Sequence, residues 1–233
     1  MVLKSILFNL IFYFSIIFFG VLFLPFLISK RLTRLVVKFW AGLIITSLKN
    51  IIGCKVLYEN KHIKDNEGYL IAANHQSVFD TIFFLKKFDK VIYIVKKELK
   101  YIPIYGWYAS RLGNIFLNRK ERIKSLKILS IEVGKAISQK YKVIIFPEGT
   151  RQTSNIIGSM KPGIFSVQNS CKCLVYPIYI SSYLTWPKNS FVKSNKDIKV
   201  KTLDPIKCYA KKNQFLIKLT NQFQLVHKKE LKK

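Results

Sequence analysis

Acidic residues are scarce in this chain: 12 Asp and Glu stand against 40 Lys and Arg in 233 residues, a net charge of +28. That imbalance points to an anionic partner such as nucleic acid, a phosphorylated substrate or an anionic membrane surface. Arginine is scarce as well, with six residues, while Ile, Asn and Phe are abundant. An AT-rich coding sequence would explain that bias, so most lysines read as solvated surface. No nucleic-acid-binding motif accompanies the charge, which argues against a nucleic-acid partner. Cysteine is limited to Cys54, Cys171, Cys173 and Cys208. One C-x-C without a second pair is a poor zinc pattern, and the spacings do not suggest the disulfide framework of a small secreted domain. Reduced, mostly buried thiols fit a domain facing the cytosol. No G-x-S-x-G elbow occurs, which removes the usual signature of a serine acyl-enzyme. Histidine occurs three times, so each one is informative.

Charge is missing altogether from Ser5 to Ser29. As a helix, such a run would reach ~37 Å, enough for a hydrocarbon core of ~30 Å. Only Lys4 precedes it, whereas Lys30, Arg31, Arg34 and Lys38 follow, and no small-residue cleavage site appears. That order is wrong for a cleavable signal peptide, and by the positive-inside rule it leaves the rest of the chain in the cytoplasm. A second apolar stretch, 35–53, is interrupted by Lys38 and Lys49 and reads as an interfacial helix. Pro25 leaves a re-entrant hairpin open beside a full span. The expected organisation is therefore a membrane anchor of one or two hydrophobic helices over 1–53. A cytosol-facing α/β domain follows over 54–233, held against anionic lipid of an inner or plasma membrane.

After residue 54, short apolar runs alternate with helical patterns. "YLIAA" (69–73), "KVIYIV" (90–95), "NIFLN" (114–118), "KVIIF" (142–146) and "LVYPIYI" (174–180) read as buried strands. "IKVKTL" (198–203) alternates like a late strand, and 78–88, 119–140 and 211–229 read as helices. This alternation predicts an α/β fold, a mixed sheet flanked by helices.

"NHQSVFD" (74–80) follows the first of these strands. On one continuous helix, His75 and Asp80 would lie ~140° apart. With His75 in the loop and Asp80 in the first helical turn, the two can meet. A carboxylate on one ring nitrogen fixes the tautomer and leaves the other nitrogen to take a proton from a hydroxyl. Ser77-x-x-Asp80 is also a capping box, and the two readings are compatible. Downstream, "GNIFLNR" ends a strand with Arg119. "FPEGTR" ends another with Glu148, Gly149 and Arg151. A guanidinium fork suits phosphate oxygens.

The ordered set NHQSVFD, GNIFLNR, FPEGTR and VYPIYI resembles the four motifs of the glycerolipid acyltransferases, best represented by 1-acyl-sn-glycerol-3-phosphate acyltransferase; the likeness covers roughly residues 50–210. "KKELKYIPIYGW" (96–107) is similar to the family's stretch between its first two motifs. The resemblance implies that His75 is the general base and Asp80 its orienting partner. It implies phosphate contacts from Arg119 and Arg151, with Lys96 and Lys161 as weaker candidates, and an acceptor-site loop shaped by Glu148 and Gly149. The implied reaction moves an acyl group from acyl-CoA or acyl-carrier protein to the sn-2 hydroxyl of 1-acyl-glycerol 3-phosphate, giving phosphatidic acid. Neither metal nor bound cofactor is needed, and the acyl thioester is a co-substrate. Other acceptors (glycerol 3-phosphate, a lysophospholipid, a lyso-aminolipid) remain open, as does a non-enzymatic basic protein on a membrane surface. Asn118 stands where the family usually has an acid, and Gln152 where serine is common; both departures bear on substrate preference.

Overall fold

The computed structural model describes residues 1–118, 122–153, 156–207 and 211–231, with only the backbone for 122–125. The described strands are β1 (Val56–Glu59), β2 (Tyr69–Ala73), β3 (Val91–Lys96), β4 (Ile115–Leu117), β5 (Lys142–Ile145), β6 (Val175–Ile180) and β7 (Ile198–Thr202). They form one mixed sheet in the order β1-β7-β6-β2-β5-β3-β4. Every pairing is parallel except the antiparallel β6–β7. The α-helices are α1 (Val2–Leu22), α2 (Lys30–Ser47), α3 (Phe79–Lys87), α4 (Tyr105–Leu112), α5 (Arg122–Ser138), α6 (Gly163–Cys171) and α7 (Lys212–Leu231).

β2 sits at the centre of the sheet, paired on both sides, and all five of its residues are buried. That explains why "YLIAA" is apolar throughout and not alternating. Successive side chains of β2 point to opposite faces. Ile71 and Ala73 join α2, α3 and α1 in one core cluster. Leu70 and Ala72 join Leu129 and Val133 of α5, Val167 of α6, and Phe215, Leu219 and Phe223 of α7 in the other. The last three recur every four residues, the spacing of a helix with one face down.

The N-terminal run is not a single rod. α1 stops at Leu22, a short 3-10 turn from Leu24 to Ile28 carries Pro25 near its start, and α2 returns. The return is a hairpin: Phe12 meets Trp40, Phe19 meets Phe39, and Trp40 Nε1 donates to Ser15 Oγ at 3.1 Å. Both α1 and the stretch Lys30–Ile52 are long and apolar enough to cross a membrane by length and composition. Yet α1 is docked on the connection between β6 and β7. Phe8 and Phe12 each pack edge-on to Trp186, with ring centroids 5.0 Å apart. Asn9 Nδ2 donates to Phe191 O at 3.0 Å, and Lys193 N donates to Ser5 Oγ at 2.9 Å. The polar residues of the run thus face protein, and Leu3, Leu10, Phe14 and Ile17 face outward.

Candidate active site

All the strands flanking the centre run parallel, so the loops after β2, β3, β5 and β6 emerge at one edge of the sheet. His75 leaves β2 there, two residues beyond Ala73. Its Nδ1 lies 2.9 Å from Asp80 Oδ2. Because the carboxylate accepts, the ring proton sits on Nδ1 and Nε2 keeps its lone pair. Asp80 is fully buried, and Oδ2 also accepts the backbone N–H groups of Gln76 (2.8 Å) and Ser77 (2.9 Å). Phe79 N in turn donates to Ser77 Oγ at 3.1 Å. The cap and the dyad are one arrangement. The N–H groups just ahead of α3 bond the same carboxylate that holds the imidazole, so the ring is fixed by the cost of melting a helix end.

Asn74 ties this loop to β6. Its side chain receives Ile180 N at 2.7 Å and donates to Ile180 O at 2.9 Å. Two residues on, Ser182 Oγ donates to Asp80 Oδ1 at 2.5 Å. Neither Asn74 nor Ser182 has a role in the sequence reading. Asn74 lay inside a quoted motif, and Ser182 follows the last one.

The loop after β5 supplies the facing wall. Phe146 stacks on the His75 ring, centroids 3.9 Å apart and planes 17° from parallel. Gly149 N closes a turn onto Phe146 O at 2.9 Å, and Gly149 takes φ 74, a left-handed value that favours glycine. Glu148 points inward, almost wholly buried, and accepts His75 N and Gly158 N, both at 2.7 Å. Burial pushes its carboxyl up to about 7, although the two amide donors act in the opposite direction. A Cβ at Gly158 would lie 2.8 Å from Glu148 Oε2, so a larger residue there would push the loop off the carboxylate. Glu148 is therefore a brace between two loops, which refines its expected part in shaping the acceptor site.

His75 opens on a cavity of about 720 Å³ walled mainly by apolar groups, among them Phe12, Ile16, Val36, Ile82, Ile104 and Leu112. Gly149, Arg151 and Lys96 line it too, so two predicted cations share the cavity with His75. Arg151 O accepts Lys188 Nζ at 2.8 Å, adding a cation that sequence reasoning did not single out. Lys161 bonds through its backbone N to Pro147 O, but its side chain is exposed and does not line the cavity. Arg119 lies outside the described residues.

The family model that matches over residues 55–181 is Acyltransferase. The chain belongs to the acyltransferase family. A 1-acyl-sn-glycerol-3-phosphate acyltransferase of Pseudomonas aeruginosa is 28% identical over 178 residues, 76% of this chain and 68% of that protein. A relative of that name from Saccharomyces cerevisiae is 28% identical over 141 residues, 59% of this chain and 46% of its own length. A Caenorhabditis elegans relative, a putative enzyme of the same type, is 31% identical over 129 residues, 54% of this chain and 49% of its own length. The chain thus spans about half the length of the yeast and nematode relatives. The 1-acyl-sn-glycerophosphate acyltransferase of Thermotoga maritima superposes with a TM-score of 0.79 over 99% of this chain and 95% of that one, at 21% identity. That likeness identifies the fold, helical hairpin included.

Proposed function

We propose that this acyltransferase transfers an acyl group from a thioester, acyl-CoA or acyl-carrier protein, to the sn-2 hydroxyl of 1-acyl-glycerol 3-phosphate. The observation that carries the reading is His75, held by a buried Asp80 through Nδ1 while its ring lines a large apolar cavity beside Arg151. An acyl tail suits the apolar wall, and a phosphate suits the cations at its edge. Nε2 takes the hydroxyl proton as the oxygen attacks the thioester carbonyl. The tetrahedral intermediate collapses, the C–S bond breaks, and the imidazolium returns the proton to the departing thiolate. The Asp80 carboxylate offsets the transient positive charge on the ring. No bound cofactor takes part in these steps.

The naming of the relatives as 1-acyl-sn-glycerol-3-phosphate acyltransferases supports the choice of acceptor. So does the position of Arg151 at the cavity. Membrane attachment is part of the same reading. The outward face of α1 is apolar, and Tyr101, Ile102, Tyr105 and Trp107 are exposed on the segment that abuts it. Tyr108 Oη there donates to Gly20 O at 3.1 Å. Aromatic rings beside cations such as Lys97, Lys100 and Arg111 are what an interfacial element carries. The hairpin thus lies in one leaflet and the cavity opens toward lipid, with the catalytic domain on the cytoplasmic side.

The test is a transfer assay with labelled acyl-CoA and acyl-carrier protein against lysophosphatidic acid, glycerol 3-phosphate and lysophosphatidylcholine. His75→Ala should cost about 10²- to 10⁴-fold in kcat while membrane binding and thermal stability stay near wild type. Substantial residual transfer would remove His75 as the base.

A further inference from the structure

The dyad described above accounts for one oxygen of Asp80. The other is held by a residue that lies beyond the last family motif. Ser182 is fully buried, as is Asp80, and its Oγ donates to Oδ1 at 2.5 Å while His75 Nδ1, Gln76 N and Ser77 N share Oδ2. The serine is not there by accident of packing. The Asn74 side chain clamps both the N–H and the C=O of Ile180, which fixes how far β6 projects past β2 and so where residue 182 falls. Its own backbone is pinned as well: Ser182 O accepts the N–H groups of Thr185 at 3.1 Å and Trp186 at 2.8 Å.

We infer that Ser182 is a positioning residue for acyl transfer, acting through Asp80 on the His75 imidazole. The inference rests on the function proposed above for His75. A hydroxyl donating to Oδ1 draws carboxylate charge away from Oδ2, the oxygen that faces the ring, and stops the carboxylate from rotating. Removing the hydroxyl leaves Oδ1 buried without that donor and concentrates charge on the histidine side. The protonated ring is then favoured, and a base that must be neutral to accept a proton works only at higher pH.

The other groups facing the dyad can be told apart from this effect. Tyr93, from β3, donates its hydroxyl to Thr81 O at 2.7 Å. Glu148, from the loop after β5, holds the backbone of His75 and not its ring. Lys96 and Arg151 line the cavity on the substrate side. A neighbouring serine gives the control. Ser181 is equally buried, but its Oγ accepts Lys199 N at 2.9 Å across the antiparallel pair and is not bonded to Asp80.

The experiment compares Ser182→Ala, Ser182→Cys and Ser181→Ala in the full chain in mixed micelles. Two readouts are taken: the pH profile of kcat, and the downfield proton resonance of the His75 Nδ1–H. For Ser182→Ala, kcat should fall roughly five- to fiftyfold with KM for both substrates unchanged. The acidic limb should move to higher pH, and the resonance should shift. Ser182→Cys keeps the size with a weaker donor and should shift the resonance less, in the same direction. It serves as the measurement should the alanine variant not fold. Ser181→Ala should lower the melting temperature and move neither readout. Wild-type pH profiles and resonances in both Ser182 variants would overturn the assignment, as would an equal shift from Ser181→Ala. The resonance needs no turnover, so a shifted signal without any acyl transfer would defeat the proposed function, and with it the role in acyl transfer, while the coupling of Ser182 to the imidazole through Asp80 would stand.

Discussion

Two loops meet at His75, and each buries a carboxylate. Asp80, in the first turn of α3, accepts four hydrogen bonds: three on one oxygen from the loop after β2, His75 Nδ1 and two amides, and one on the other from Ser182 beyond β6. The loop after β5 carries Glu148, which accepts one backbone N–H on each oxygen, His75 N from the loop after β2 and Gly158 N from its own loop. For Glu148, burial outweighs those two donors and raises the carboxyl to about 7. The difference is one of task. Four donors converge on Asp80, one of them the imidazole, whereas Glu148 bridges two strand-end loops with only two donors and has its carboxyl raised to about 7. In a protein interior, the count and aim of donors decide whether a buried acid serves as a counter-ion or as a brace.

Breaking the first side of this comparison should have the largest effect. Asp80→Asn replaces an all-acceptor group by one that must present an NH2 to one set of its donors, and it removes the counter-charge. A fall in kcat of about 10²- to 10⁴-fold is expected. An assay showing less than a tenfold loss would mean that the imidazole is oriented by something else. On the second loop, Arg151→Ala should raise KM for the phosphate-bearing acceptor roughly 10- to 100-fold and leave KM for the acyl thioester near its wild-type value. Equal changes for both substrates would detach Arg151 from the phosphate.

The smallest effect sharpens the contrast. Glu148 has its folded-state pKa raised from 4.5 to about 7, so its contribution to stability is fully present below pH 4.5 and is lost as pH rises through about 7. Glu148→Gln cannot titrate there. Thermal melts from pH 4.5 to 7.5 should therefore show wild type losing stability relative to the variant as pH rises. A constant difference across that range would show that Glu148 titrates as it does in the unfolded chain.

Much of this architecture is legible in local sequence. "YLIAA" is β2 to the residue, because a strand paired and covered on both faces must be apolar at every position. The His75–Asp80 pair follows from a base placed before a helix and an acid in its first turn. Other parts escape for physical reasons. β1 is a four-residue strand at the sheet edge whose positions are half-buried or exposed, too weak a pattern to separate from a loop. α4 and α6 are eight and nine residues long and were passed over. α6 starts at Gly163, and α4 is preceded by Ile104 at φ 62, a conformation that no propensity foresees for a β-branched residue. Ser182 is invisible locally because its partner is 102 residues away. Only the strand order, which puts β6 beside β2, brings it to the carboxylate. A polar residue just past the carboxyl end of a strand in a largely parallel sheet was the available signal.

The hairpin of α1 and α2 carries a consequence for how the molecule can be divided. Phe8, Phe12, Ala41 and Ile44 belong to the same core cluster as Ile71 and Ile178 of the sheet and Phe79 of α3. Phe12, Ile16 and Val36 also form part of the cavity wall beside His75. The hairpin thus contributes to the core and to the cavity, and Phe12 belongs to both. A cut at residue 53 would not release a water-soluble catalytic unit. It would remove one wall of the cavity and part of the core beneath it, so that leaving the membrane and opening the cavity become a single event.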